Sequence, residues 1–144
     1  MAIPPIPTHL TLQIVSADRL LVDEQVDEVE IPGADGYLGV LPGHTPLLAL
    51  LQVGELWYRK GQEKHYLAIA FGFVEVLPEK VTVLAQIAER AEDIDAQRAE
   101  KAKARAEERV AGSRAPNIDF ERARIAMMKS LIRLQVASRA RTRA

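Results

Sequence analysis

The chain has 144 residues, of which 48% are hydrophobic, so it can bury a core of ordinary size. It contains no cysteine, which excludes disulfides, a thiol nucleophile and thiolate metal sites. The net charge of −1 hides an asymmetry, because residues 1–88 carry 5 basic and 11 acidic side chains whereas residues 89–144 carry 14 and 9. This division predicts two parts with different tasks.

The first eight residues contain three prolines and no basic side chain, a composition that does not fit a secretory signal. The longest apolar run, Leu47 to Leu51, is far too short to cross a bilayer. We therefore expect a cytoplasmic protein that meets a membrane only through a partner.

Short apolar and alternating runs predict an all-β arrangement for residues 1–88. The predicted strands are 10–15, 19–22, 26–31, 54–59, 64–70, 71–77 and 80–87. Pro-Gly, Asp-Gly and Lys-Gly pairs provide turns between many of them. No amphipathic stretch of helical length separates the strands, so a sandwich is favoured over parallel βαβ units.

The composition changes after Ala88, and residues 95–111 consist almost entirely of strong helix formers. Asp93 or Asp95 is expected to cap this helix, and small residues form its apolar stripe: Ala96, Ala99, Ala102, Ala106 and Val110. A break at 112–117 precedes a second helix at 118–140. Its predicted apolar face comprises Phe120, Ala123, Met127, Leu131, Leu134 and Ala137. The two helices should form an antiparallel hairpin.

No catalytic or metal-binding pattern is present in the sequence. The histidines, His9, His44 and His65, are scattered without the local spacing of a metal pair. The chain lacks a nucleophile elbow and a phosphate-binding glycine loop. The acidic run Asp23, Glu24, Asp27, Glu28 and Glu30 is interpreted as a charged sheet edge. We therefore expect no enzyme and no metal.

The second helix is strongly basic, since seven basic and no acidic residues follow Glu121. Nucleic acid is one candidate partner. However, no aromatic residue follows Phe120 to stack on bases, and the whole chain is slightly acidic. An acidic protein surface is the better target, and nucleic acid is not expected. One resulting hypothesis is a free-standing β-sandwich binding module with a basic helical arm.

A specific motif lies between Ile31 and Leu56. The stretch IPGADGYLGVLPGHTPLLALLQVGEL resembles the signature of the epsilon subunit family of F-type ATP synthases. The matching positions are Gly33, Gly36, Gly39, Leu41, Pro42, Gly43, His44 and Pro46. The later segments starting at Phe71 and Val81 also resemble family strands, and the resemblance extends from Leu10 to Leu134.

The resemblance implies a β-sandwich of about ten strands at 1–88, followed by a two-helix hairpin at 89–144. It implies a non-catalytic central-stalk subunit of a proton-translocating ATP synthase, bound to the gamma subunit and the ring of c subunits. The complex would hold it at the cytoplasmic face of the inner membrane as a peripheral protein. The contact loop would include Gly33, Gly36, Gly39, Pro42, Gly43, His44 and Pro46.

The resemblance also implies a regulatory hairpin that extends toward the alpha and beta subunits and restrains ATP hydrolysis. Arg122, Lys129 and Arg133 are the residues expected to contact those subunits. No cofactor is required, but some family members bind ATP as a regulatory ligand. The corresponding residues here are Glu89, Ile94, Asp95, Arg98, Ala99, Arg105, Arg122, Lys129 and Arg133. Lys129 replaces a usual arginine and therefore loses the bidentate fork.

Overall fold

The computed structural model describes residues 3–112 and 118–141. The chain divides into two compact units, Met1–Ala88 and Glu89–Ala144, each described here by itself. The predicted interhelical break at 113–117 lies outside the described residues.

The first unit is built from β-strands, as the sequence predicts. The strands are β1 (Leu10–Val15), β2 (Leu20–Val26), β3 (Glu28–Gly33), β4 (Gly36–Val40), β5 (Leu47–Leu51), β6 (Gly54–Lys60), β7 (Glu63–Val76) and β8 (Lys80–Arg90). The described residues thus form eight strands, where the resemblance implied about ten. The predicted strands 64–70 and 71–77 are one strand, β7, because its hydrogen bonding continues through a bend. β4 and β5 were not predicted.

All eight strands belong to one hydrogen-bonded sheet that encloses the core. The order is β2-β1-β8-β7-β5-β3-β4, with β6 pairing both β3 and β7. β1 is antiparallel to β2 and parallel to β8. Alternate residues of β1, Leu10, Leu12 and Ile14, are fully buried, which confirms the alternating pattern read from the sequence.

A sharp corner lets β7 serve two neighbours. Its first half pairs with β6 and its second half with β5. At the corner Phe71 has φ of 61° and Gly72 has φ of 113°. A Cβ on Gly72 would overlap the carbonyl oxygen of Leu84, so only glycine fits this approach.

Part of the predicted acidic edge is neutralised by β6. The Glu24 carboxylate accepts hydrogen bonds from the Lys60 ammonium at 2.7 Å and the Tyr58 hydroxyl at 2.8 Å. The bond from Lys60, aided by that from Tyr58, holds the pKa of Glu24 below its ordinary value, against the opposing effect of burial. Arg59 pairs with Glu28 at 2.9 Å and with Asp27 at 3.6 Å. The acidic run therefore also ties β2 and β3 to β6.

The second unit contains α1 (Ala96–Gly112) and α2 (Ile118–Arg141), which confirms both predicted helices to within one residue. A short 3-10 turn, Ala91–Asp93, precedes α1. The alanine stripe of α1 is also confirmed, with Ala99 and Ala106 buried. Within residues 3–112 and 118–141, no helix is long and apolar enough to span a membrane.

The predicted apolar face of α2 was wrong at Phe120 and Leu131, which are exposed. The buried residues of α2 are Ala123, Ser130, Val136 and Ala137. Three of these recur every seven residues and are small, as in a narrow seam between closely approaching helices. The bulky side chains of Phe120 and Leu131 lie outside this seam. Hydrophobicity alone did not reveal which side of α2 is buried.

Candidate functional site

A polar cleft of about 460 Å³ lies within the second unit. Its lining comes from the end of β8, the segment before α1, the first half of α1 and the second half of α2: Glu89, Asp93, Ile94, Asp95, Arg98, Ala99, Ala102, Arg105 and Arg133. Arg133 lies beside the start of α1, as an antiparallel hairpin requires. The cleft thus joins residues 89–105 to Arg133, which is distant from them in the sequence.

The rim of the cleft at α1 is shaped by a helix cap. The Asp95 carboxylate accepts a hydrogen bond of 3.0 Å from the backbone N–H of Arg98. This confirms Asp95 as the capping residue of α1. The cap orients the first turn, from which Arg98 and Ala99 face the cleft. The first backbone N–H groups of the helix add positive potential at this rim.

The far side of the cleft is fixed by an ion pair. Arg133 Nε donates to Glu89 Oε1 at 2.6 Å, and both side chains are about two-thirds buried. The pair links the end of β8 to α2. Arg98 and Arg105 line the same cleft, and the guanidinium group of each carries five N–H donors.

The charges around the cleft balance, with three carboxylates and three guanidinium groups. Guanidinium groups recognise phosphate oxygens, and Ile94, Ala99 and Ala102 supply an apolar wall. A cleft of this kind fits a ligand that carries both an anionic group and an apolar ring.

Seven of the nine residues predicted to bind a nucleotide line this cleft, and Arg122 and Lys129 do not. Lys129 precedes Arg133 by one helical turn and is half-buried. Arg122 is exposed and lies eleven residues before Arg133, about 16 Å along the helix axis. Asp93 and Ala102 line the cleft but were missed. Asp93 lies two residues before Asp95, and Ala102 lies one helical turn after Ala99, so the sequence already placed both residues near predicted ones.

The first unit carries an exposed apolar face. Leu48 and Leu50 are 69% and 68% exposed, and Leu50 pairs with the exposed Phe73 across β5 and β7. Tyr37 and Leu41 are also exposed. An adjoining depression of about 500 Å³ runs between the β3–β4 turn and β5. Contiguous apolar surface of this kind marks an interaction site.

The sequence contained a signal for this face that our interpretation missed. The run Leu47 to Leu51 was considered only as a membrane span. Consecutive leucines in a strand must point to both faces of the sheet, so some of them are exposed if one face is the core.

The residues of the predicted contact loop do not lie in one loop. Gly33 ends β3, Gly36 and Gly39 lie in β4, and the remaining four residues lie in the β4–β5 connection. Gly36 and Gly43 adopt positive φ, while a side chain on Gly33 would crowd the carbonyl oxygen of Gly36. Gly39 meets neither condition. His44 Nδ1 lies 2.7 Å from the carbonyl oxygen of Thr45, an interaction within the loop. Pro42 and Pro46 flank this turn.

No cluster of side chains that could hold a metal ion occurs within residues 3–112 and 118–141. His9 lies 3.9 Å from Asp27, and the His65 ring stacks on Tyr58.

The exposed apolar face is typical of a protein that works within an assembly. Residues 9–91 match the family model for the ATP synthase delta/epsilon chain β-sandwich domain. Residues 92–138 match the model for the long α-helix domain of the same chain. The chain therefore belongs to the ATP synthase delta/epsilon chain family, whose members are subunits of the synthase other than the catalytic one.

Relatives with high identity bear the name ATP synthase epsilon chain. One from Nitratidesulfovibrio vulgaris is 47% identical over 131 residues, covering 91% of this chain and 97% of the relative. One from Herpetosiphon aurantiacus is 46% identical over 134 residues, covering 93% and 98%.

Solved structures share the fold. A chain of the Euglena gracilis mitochondrial ATP synthase, in an OSCP/F1/c-ring assembly, matches with a TM-score of 0.79 at 27% identity, covering 94% of this chain and 84% of that one. A chain of the Tetrahymena thermophila mitochondrial ATP synthase central stalk and c-ring matches with a TM-score of 0.60 at 11% identity, covering 91% and 95%. The latter shows likeness of fold alone.

Proposed function

We propose that this chain is a rotor subunit of a proton-translocating F-type ATP synthase that joins gamma to the c-ring and restrains ATP hydrolysis. The observation that carries the joining role is the exposed apolar face around Leu48, Leu50 and Phe73. Burial of such a face against a partner releases water from apolar surface, which drives association. The similar Euglena chain comes from an assembly that contains F1 and a c-ring.

The packed β-unit suits this joining role. Its core residues on β1 are fully buried, and close-packed interiors transmit strain with little deformation. The contact loop and the apolar face are both held by this core. The subunit would contact gamma and the c-ring and not the lipid. It would therefore be a peripheral protein at the cytoplasmic face of the membrane.

The joining role is tested with purified gamma and a matched pair of variants. Leu48→Ser/Leu50→Ser should weaken binding to gamma by about 100-fold, because two large exposed side chains lose their contacts. Leu20→Ser changes an exposed leucine on β2, outside this face, and should have no effect. If all three proteins bind gamma with one affinity, this face is not the contact.

The hairpin is proposed to bind ATP as a regulatory ligand. Support comes from the cleft, since it joins the end of β8, α1 and α2 and presents Arg98, Arg105 and Arg133. A ligand that contacts all three segments stabilises the compact hairpin, because it binds that form and not the opened one. Calorimetric titration with ATP, and with ADP for comparison, tests this proposal. Absence of binding heat at millimolar ATP would exclude ATP as the ligand of this cleft.

The restraint of hydrolysis is assigned to Arg122, Lys129 and Arg133 on α2, acting on acidic surfaces of the alpha and beta subunits. In the compact hairpin Arg133 is engaged by Glu89. It is therefore available to other subunits only when α2 leaves this arrangement, which couples the two states of the hairpin.

The restraint is tested by removing residues 94–144, which keeps β8 whole. The truncated chain should still bind gamma, while the ATPase activity of the complex should rise. Equal activity with and without these residues would exclude an inhibitory hairpin. The alternative of a free-standing binding module is not adopted, because both units match domains of an ATP synthase subunit.

A further inference from the structure

Within the part of the chain that the structure describes, one edge of β5 is left almost without a neighbouring strand. On one side β5 pairs with β7 along its whole length. On the other side it pairs with β3 at a single position, Gly33 with Leu51. β3 ends there, because the chain turns at residues 34–35 into β4. Residues 47–50 of β5 therefore extend beyond the end of β3.

Hydrogen bonds at the end of β3 show which backbone groups of β5 point to this edge. The Ala34 N–H donates to the Leu50 carbonyl at 2.8 Å, and the Gln52 N–H donates to the Pro32 carbonyl at 3.0 Å. Leu50 thus directs its backbone away from β7. In an antiparallel pair, backbone groups two residues apart point to the same side. The N–H and C=O of Leu48 therefore also point away from β7, at a position that β3 does not reach.

This edge borders a space of the right length for another strand. The depression of about 500 Å³ between the β3–β4 turn and β5 is lined by Leu48 and its neighbours in β5. At about 3.3 Å per residue, residues 47–50 span about 13 Å, which is enough for an added strand of four residues. The exposed side chains of Leu48 and Leu50 would lie beside alternate side chains of that strand. A strand with apolar residues at every second position therefore fits this edge.

The edge of β5 differs in charge from the strand at one end of the sheet. β2 occupies that end and carries Asp23 and Glu24, and charged residues on an edge strand discourage pairing with other chains. β5 reads Leu-Leu-Ala-Leu-Leu and carries no charge. An apolar edge with open backbone groups is a template for another chain. Only an extended backbone presents N–H and C=O groups at the matching spacing, so the edge selects a strand as its partner.

We propose that an extended segment of the gamma subunit pairs with the backbone of Leu48 and adds a strand to the sheet beside β5. This inference rests on the proposed joining role, which assigns the surrounding apolar face to gamma, and it adds how gamma is recognised. Main-chain hydrogen bonds would orient the segment, and the exposed leucines would select its apolar side chains. A helix packed on the same leucines would leave the backbone of Leu48 unpaired, which makes the two modes of binding distinguishable.

The first test compares two replacements of Leu48 in the full-length chain by their affinity for purified gamma. Leu48→Ala removes the exposed side chain but keeps the N–H, and should weaken binding by about fivefold. Leu48→Pro also removes the N–H and should weaken binding by about 100-fold, because a carbonyl of gamma loses its donor. Proline is tolerated where an edge N–H points outward, so the two variants should share one thermal unfolding midpoint. Equal affinities of the two folded variants for gamma overturn the proposal.

Amide hydrogen exchange of the parent chain is the second test, and it remains decisive if Leu48→Pro does not fold. Ala49 alternates with Leu48 and directs its N–H to β7, so it is the matched internal control. In the isolated chain the Leu48 amide should be at least about tenfold less protected than the Ala49 amide. Bound gamma should raise the protection of the Leu48 amide by at least about tenfold.

The outcomes of the exchange test separate this inference from the joining role. If gamma binds and the protection of the Leu48 amide does not change, strand addition is overturned while the joining role stands. Protection of the Leu48 amide that rises with the concentration of the isolated chain would make a second copy the occupant and would overturn the assignment to gamma. If the parent chain does not bind gamma at all, the joining role fails and this inference fails with it.

Discussion

Replacement of Arg133 by alanine is the sharpest perturbation of the hairpin cleft. It removes one of three guanidinium groups and leaves the Glu89 carboxylate without its 2.6 Å partner. A hydrogen bond to a charged group contributes about 1.5–3 kcal/mol, which corresponds to about 10- to 150-fold in affinity. The two side chains are 28% and 31% exposed, so partial screening by water favours the lower part, about 10- to 40-fold.

The assay is calorimetric titration of the full chain with ATP and with tripolyphosphate. Arg133→Lys keeps the charge but loses the planar fork, so its affinity should fall between those of the parent and Arg133→Ala. Lys129→Ala is the matched control on α2, and because Lys129 does not line the cleft its affinity should equal that of the parent. An unchanged affinity for Arg133→Ala, or a loss of equal size for Lys129→Ala, would refute the assignment of the phosphates to this cleft.

Two further predictions concern the stability of the β-unit and are measured by urea unfolding. Gly72→Ala should lower the free energy of unfolding by more than about 3 kcal/mol or prevent folding. Gly61 has φ of 61° but open space around it, so Gly61→Ala should lower the free energy of unfolding by only about 1 kcal/mol. Similar losses of stability for both variants would contradict the corner geometry. Glu24→Gln should weaken stability at pH 7 by at most about 1 kcal/mol, because the bonds from Lys60 and Tyr58 remain partly exposed to water. Since the folded pKa of Glu24 is lowered, this contribution is full above the ordinary value of 4.5 and is lost as the pH falls through the folded pKa. A difference in the free energy of unfolding between variant and parent that persists unchanged at pH 3 would contradict an origin in the ionised Glu24 carboxylate.

The parts of the structure that depend on local chemistry were predictable from the sequence. Both helices and the Asp95 cap follow from residue propensity and one side-chain hydrogen bond, and the structure confirms them. β1 follows from its alternating pattern. β5 was missed because a continuous leucine run carries no alternation, although it lies between two partner strands that define it as a strand.

The parts that depend on long-range packing were not predictable. The bend at Phe71 and Gly72 is imposed by the close approach of β8, which no local pattern reveals. The seam of α2 is set by the alanines of α1, so Leu131 is exposed despite its hydrophobicity. The position of Arg133 near Glu89 requires the hairpin to close, and this selects Arg133 over Arg122 for the cleft.

The small seam and the polar cleft together would make the compact hairpin sensitive to the proposed ligand. α1 buries only Ala99 and Ala106, and α2 mainly small residues, so little apolar area holds the helices together. The cleft, in contrast, spans both helices and the end of β8. A ligand at 100 times its dissociation constant adds about 2.7 kcal/mol to the form that binds it. A shift of that size changes the ratio of compact to opened hairpin by about 100-fold. Occupancy of one cleft is therefore sufficient to decide the state of a hairpin whose own packing is weak.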